Sequence, residues 1–214
     1  MDLKARLHDS LHGARQTPLT KFEGLTEYDL RRPLPPTGSD LVGILRHLGG
    51  IEHAYLCETF GRPLPPPPLP DDWDEELWHN GDMWVRPTES SEAILAWYHA
   101  ACEQADQTIQ MLDLNSPGKV PQWDEAHSST TLGDMIVIVL GEECRHGGHI
   151  DVVRELVDGR AGADYSDSAP RTSGRRTSPG SRQRPTSTPT RSHSWTNDLA
   201  RLVAWNVDSP GSRP

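Results

Sequence analysis

Residues 131–159, TLGDMIVIVLGEECRHGGHIDVVRELVDG, carry the spacing of one long helix. Thr131 followed three residues later by Asp134 makes an approximate capping box, and Asp158-Gly159 supplies the stop. In between, Met135, Ile136, Val139, Leu140, Ile150, Val153 and Leu156 recur by threes and fours. Glu142 and His146 stand four apart, which on a helix sets a carboxylate and an imidazole one above the other. Their face is otherwise apolar, and a carboxylate there is costly unless paired or metal-bound. An ordinary Glu/His pair on a half-exposed helix edge has the same spacing, so spacing alone leaves both readings open. Cys144 falls about 200° around from Glu142 at 3.6 residues per turn and reads as structural. Asp151 and Arg154, nearer the helix end, read as a solvated pair.

Three more helical segments precede this one. The first runs roughly over 2–25 through Leu3, Leu7, Leu11, Phe22 and Leu25, with Pro18 as a kink. The second follows Thr37-Gly38-Ser39, with Ser39 as N-cap and Leu41, Ile44, Leu45, Leu48, Ile51 and Tyr55 on the 3.6 period. The third opens between Thr88 and Ser91 and runs to about Leu112. The link over 25–39 is turn-rich and short. The connection over 60–87 is long, with Pro65 to Pro68 and then Trp73, Trp78 and Trp84. Loops of that length are uncommon and often functional. Three tryptophans indicate that it packs down, over the bundle end in preference to lidding a pocket.

His47, in Leu45-Arg46-His47-Leu48 on the second helix, is a third candidate donor. Three such ligands with an open position are what a catalytic divalent-metal site requires. A lone histidine among Gly43, Ile44, Gly50 and Ile51 is also how a satisfied boundary residue looks. His53 points to another side of its helix, and His149 is an alternative ligand or a donor behind His146. Gly43, Gly49 and Gly50 each cost roughly 0.8–1 kcal/mol against Ala inside a helix, so something approaches that backbone closely.

Composition bounds the function. The 214 residues suit one ordinary domain plus an extension. Cys57, Cys102 and Cys144 are scattered and odd in number, as reduced thiols in the cytoplasm are, and form no zinc motif. No N-terminal run resembles a signal peptide, and no stretch nears the roughly 18–20 apolar residues of a membrane span. From Ser168 onward eight Arg and two Asp give +6, which leaves −16 on the first 167 residues of a chain whose total is −10. An acidic body argues against nucleic acid as the main partner. The segment from about Ser166 to His193 is Arg/Ser/Thr/Pro-rich and predicts disorder. Such low-complexity text is also typical of a late reading-frame change.

The chain resembles the DinB-like four-helix metalloproteins, and within them the actinobacterial mycothiol transferase-like branch. The resemblance is carried by KFEGLTEYDLRRPLPPTGSDLVGILRHLGGIEHAY (21–55), GRPLP (61–65), DMW (82–84), EAILAWY (92–98) and EECRHGGHIDVVRELVDGRAG (142–162). It covers about residues 3–165 and implies an all-α, four-helix bundle over 1–165, followed by a tail over 166–214 that does not look like the family. It implies a metal triad of His47, Glu142 and His146. It further implies a divalent metal, zinc first with nickel, iron or manganese also fitting, and a low-molecular-weight thiol such as mycothiol delivered to an electrophile. A thiol S-transferase is the function so implied, with a non-catalytic metal-binding or stress-associated bundle as the alternative. Homodimers occur among similar proteins.

Overall fold

The computed structural model describes residues 2–65 and 81–160. Four long helices form the bundle: α1 (Leu3–Thr20), α3 (Leu41–Glu52), α4 (Ser91–Met111) and α5 (Leu132–Asp158). A five-residue helix, α2 (Glu27–Arg31), lies in the link after α1. A small antiparallel hairpin, β1 (Pro117–Lys119) and β2 (Ser129–Thr131), bridges α4 and α5. The class is all-α, as the helical periods and the resemblance imply.

Local chemistry accounts for most boundaries. Ser90 caps α4 by accepting from the Ala93 N–H, and Thr131 with Asp134 forms a full capping box on α5. Gly159 ends α5 at φ 79°, a left-handed conformation that Gly adopts without penalty. Three expectations change. The first helix ends at Thr20, two residues beyond Pro18, because Pro18 takes a backbone donor out of the last turn. The segment over 25–39 holds α2, capped by Thr26 through the Asp29 N–H at 3.2 Å. Asp40, and not Ser39, caps α3: it stands in extended backbone and its carboxylate accepts the Gly43 N–H at 2.7 Å. Beyond Glu52 the helix loosens into a π turn over His53–Cys57 and a 3₁₀ turn over Glu58–Phe60.

Helix α5 packs on α1 and α3, and α3 packs on α4. Among the described residues the core falls into three apolar clusters, a small one of Val42, Val85 and Ile94 and two larger ones that α5 and α3 both span. Of the larger two, one holds Leu11, Ile51, Ile109, Met135 and Val139; the other holds Leu45, Leu48, Tyr98, Ile150 and Val153. Each such side chain contributes roughly 1.5–3 kcal/mol on full burial. Between the clusters, the α5 stripe is interrupted at Glu142, Glu143 and His146. A polar layer therefore crosses the bundle at mid-height. On one side of it Arg15 of α1 meets Glu52 of α3, while the Tyr98 hydroxyl of α4 donates to Glu143 at 3.2 Å.

Arg154 and Asp151 are not a solvated pair. Arg154 is buried, donates to the backbone carbonyls of Lys21 and Glu23, and pairs with Asp158. Asp151 pairs with the buried Lys21 at 2.7 Å. The chain leaving α1 is thus tied to the last turns of α5. Cys144 is exposed, so it has no packing role in this chain. The tail, its expected boundary and its reading-frame question lie outside the described residues, as do Trp73 and Trp78. Among the described residues, no helix is long and apolar enough to cross a membrane.

Candidate metal centre

His47 is on the second turn of α3, where a 3.6 period places it beside the apolar stripe of Ile44, Leu48 and Ile51 and not within it. Glu142 and His146 share one face of α5 because they are four residues apart. The packing of α3 on α5 brings the three together: one donor atom from each lies within 4.8 Å of the others. The ring centroids of His47 and His146 are 4.6 Å apart, with the rings steeply inclined edge to face. All three side chains are largely enclosed, at 16 % exposed for His47, 11 % for Glu142 and 12 % for His146.

The pairing within the trio leaves donors over. His146 Nε2 is 3.3 Å from Glu142 Oε2, and its Nδ1 is buried without a hydrogen-bond partner among the described residues. The bond to His146 holds the Glu142 carboxylate below its ordinary range, against the upward push of burial. His47 Nδ1 lies 2.6 Å from Asp82 Oδ2. Burial pushes Asp82 up, but the bond and charge of His47, with Arg46 nearby, outweigh it and keep this acid below its usual value. An ionised carboxylate only accepts, so His47 donates through Nδ1–H, and in the neutral ring this leaves the lone pair on Nε2. Nε2 is buried and without a partner among the described residues.

Two orphaned imidazole nitrogens beside a carboxylate are an unfavourable arrangement unless something else engages them. A divalent cation would engage all of them at once, since nitrogen and oxygen donors of this kind hold zinc at about 2.0–2.2 Å. Donors around tetrahedral zinc are therefore about 3.3 Å apart, somewhat closer than the 4.8 Å spread here.

The neighbouring candidates separate cleanly. His149 is 6.1 Å from His146 between ring centroids, and burial followed by the charge of His146 lowers its pKa. It flanks the trio without joining it. His53 faces elsewhere: its Nε2 accepts the Leu64 N–H at 3.1 Å and its ring lies against Trp97. Asp82 is not visible as a site residue in the sequence, although it belongs to the DMW piece, since no local spacing links it to a residue 35 positions away. Glu143 escapes notice for a similar reason. Its burial and the charge of Glu52 push its carboxyl up to about 8, yet only the tertiary contacts reveal this.

A family model described as mycothiol-S-transferase matches residues 6–159. The chain belongs to the mycothiol-S-transferase family. The match takes in most of α1 and all of α2 through α5, and with them all three members of the trio and Asp82. Among solved structures, a conserved protein of Enterococcus faecalis superposes with a TM-score of 0.52 at 14 % identity, over 75 % of this chain and 99 % of that one. That likeness is one of fold. Curated relatives include tRNA-specific 2-thiouridylase MnmA from two strains of Coxiella burnetii, each 32 % identical over 79 residues, 37 % of this chain and 22 % of the relative. The chain spans about a fifth of the length of those relatives.

Proposed function

We propose that this member of the mycothiol-S-transferase family is a metal-dependent thiol S-transferase. In this reading His47, through Nε2, holds a divalent cation together with Glu142 and His146. Two neutral imidazoles and one carboxylate compensate a single charge of a dication, so the loaded centre stays net positive. A divalent cation in such a centre supplies the field that lets a thiol lose its proton near neutral pH. Zinc suits the donor set best; nickel, iron and manganese accept the same ligands.

The protein's own residues do the rest. The trio is largely enclosed, and the apolar residues above and below the polar layer limit the water that would compete for it. The low-molecular-weight thiol is mycothiol, as the family indicates, and its thiol proton leaves to solvent. The sulfur then forms a new S–C bond to the electrophile, whose leaving group departs with the bonding electron pair. The three cysteines are free, which suits a reducing compartment and, in this reading, the cytoplasm.

The observation that carries the reading is the convergence of three metal-type donors, two of them with orphaned nitrogens, in a chain of this family. Calorimetric titration of zinc-loaded protein with mycothiol tests it, followed by thiol consumption against a panel of electrophiles. Saturable one-to-one binding that requires the metal is expected. Zinc loading without any mycothiol binding would leave a passive metal-binding bundle instead.

A further inference from the structure

The descending end of the long connection is fastened to α3 at four positions, Asp40, Gly43, Arg46 and His47. The Asp40 N–H donates to the Met83 carbonyl, and Asp40 Oδ2 accepts the Val85 N–H at 2.9 Å. Gly43 lies directly beneath: a Cβ there would fall inside contact distance of the Met83 carbonyl carbon and the Trp84 nitrogen, both backbone atoms. Arg46 is buried; its Nη2 donates to the carbonyls of Gly81 at 2.9 Å and Trp84 at 2.5 Å, and its Nη1 pairs with Glu89. His47, the next residue, meets Asp82. A 3₁₀ turn over Gly81–Met83, clamped from both sides, aims one carboxylate at one ring nitrogen.

We infer that Asp82 is a positioning residue for the metal centre, fixing His47 in the tautomer and orientation that present Nε2 to the cation, and that the Asp40–Gly43–Arg46 clamp sets this contact. The inference rests on the metal reading above. Its physical basis is general: a ligating histidine is oriented by whatever accepts from its other nitrogen, and removing that partner typically weakens metal binding about 10–100-fold. The neighbouring Ile44 and Ile51 side chains offer no polar atom to either nitrogen, so they fix neither tautomer nor orientation. The end of the loop over 81–85 therefore does more than connect two helices. It contributes the group that makes His47 a donor of defined geometry.

Two measurements test this. In metal-free protein, ¹⁵N NMR at a pH where the ring is neutral should show His47 protonated on Nδ1. In Asp82→Ala the Nε2–H form should become populated, a change that a loop of purely structural importance would not produce. In zinc competition titrations, affinity should fall about 10–100-fold in Asp82→Ala and less in Asp82→Asn, whose Oδ1 still accepts. Gly43→Ala, which keeps every donor and Asp82 but lifts the loop, should lose affinity too while circular dichroism shows the helices intact. Equal zinc affinity in wild type and Asp82→Ala, or an unchanged His47 tautomer, would overturn the inference and leave the metal centre standing. Wild-type protein that binds no zinc would bring down both.

Discussion

Arg15 on α1 and Glu52 on α3 form a two-armed ion pair, with both N–O distances at 2.7 Å and neither side chain more than 3 % exposed. It is the fastening between the first helix and the rest of the polar layer. Glu52 borders a second carboxyl, Glu143, and burial raises the pKa of both. Removing Arg15 would leave two acids facing each other without a cation. Arg15→Met should therefore destabilise the protein by about 3–5 kcal/mol in urea unfolding. Arg15→Met combined with Glu52→Leu should recover much of that loss, because the fully buried Glu52 charge is then no longer stranded and Asp106, which Arg15 also contacts, is partly exposed and keeps its contact with His8. A double variant no better than the single one would show that the pair's role is not electrostatic.

The donors of the centre make separate predictions. His47→Ala and His146→Ala should each abolish stoichiometric zinc binding, measured by metal analysis after gel filtration. Helical content should stay largely intact, since both rings lie at the edge of the apolar clusters. Zinc retained at one equivalent in either variant would place the ion elsewhere.

Two glycines on the bundle helices should respond with opposite signs. A Cβ on Gly49 would come within 2.6 Å of the Trp97 ring, which is held by a hydrogen bond from Nε1 to the Pro65 carbonyl. Gly49→Ala should cost about 1–3 kcal/mol through overpacking. Gly141 lies mid-helix on α5, and a Cβ added there would have nothing within 4 Å. Gly141→Ala should stabilise by roughly 0.5–1 kcal/mol, the ordinary helix-propensity difference. Thermal midpoints of the two variants check this directly.

Acidity near α3 gives a pH dependence. Burial pushes the Asp40 carboxyl up to about 6, although two backbone N–H groups favour its charged form. A raised acid binds its proton more tightly in the fold than in the unfolded chain. Its contribution is thus complete below its ordinary pKa and is lost as the pH rises through about 6. Stability should fall by on the order of 2–3 kcal/mol across that window from this group. Asp40→Asn should flatten the slope in urea titrations between about pH 4 and 7; an unchanged slope would assign it to another acid.

Much of this molecule is legible one residue at a time. The cap at Thr131, the stop at Gly159 and the apolar periods of α3, α4 and α5 all follow from interactions within one or two helical turns. The four-residue step from Glu142 to His146 is equally local, and so it is readable as a shared face. The family resemblance then links that face to His47. Gly43 and Gly49 announce a close approach without saying by what.

What the chain alone leaves undecided depends on partners far apart in sequence. Asp82 reaches His47 across 35 positions, Arg15 reaches Glu52 across 37, and Arg154 reaches the carbonyls after α1 across more than 130. In each case a polar group is enclosed only because two segments pack, and its partner is whichever group the packing leaves within about 3 Å. Helical period and capping act over a few residues and are written in local order. Desolvation exists only once the bundle has closed, and it alone decides which carboxylate pairs with which cation or ring.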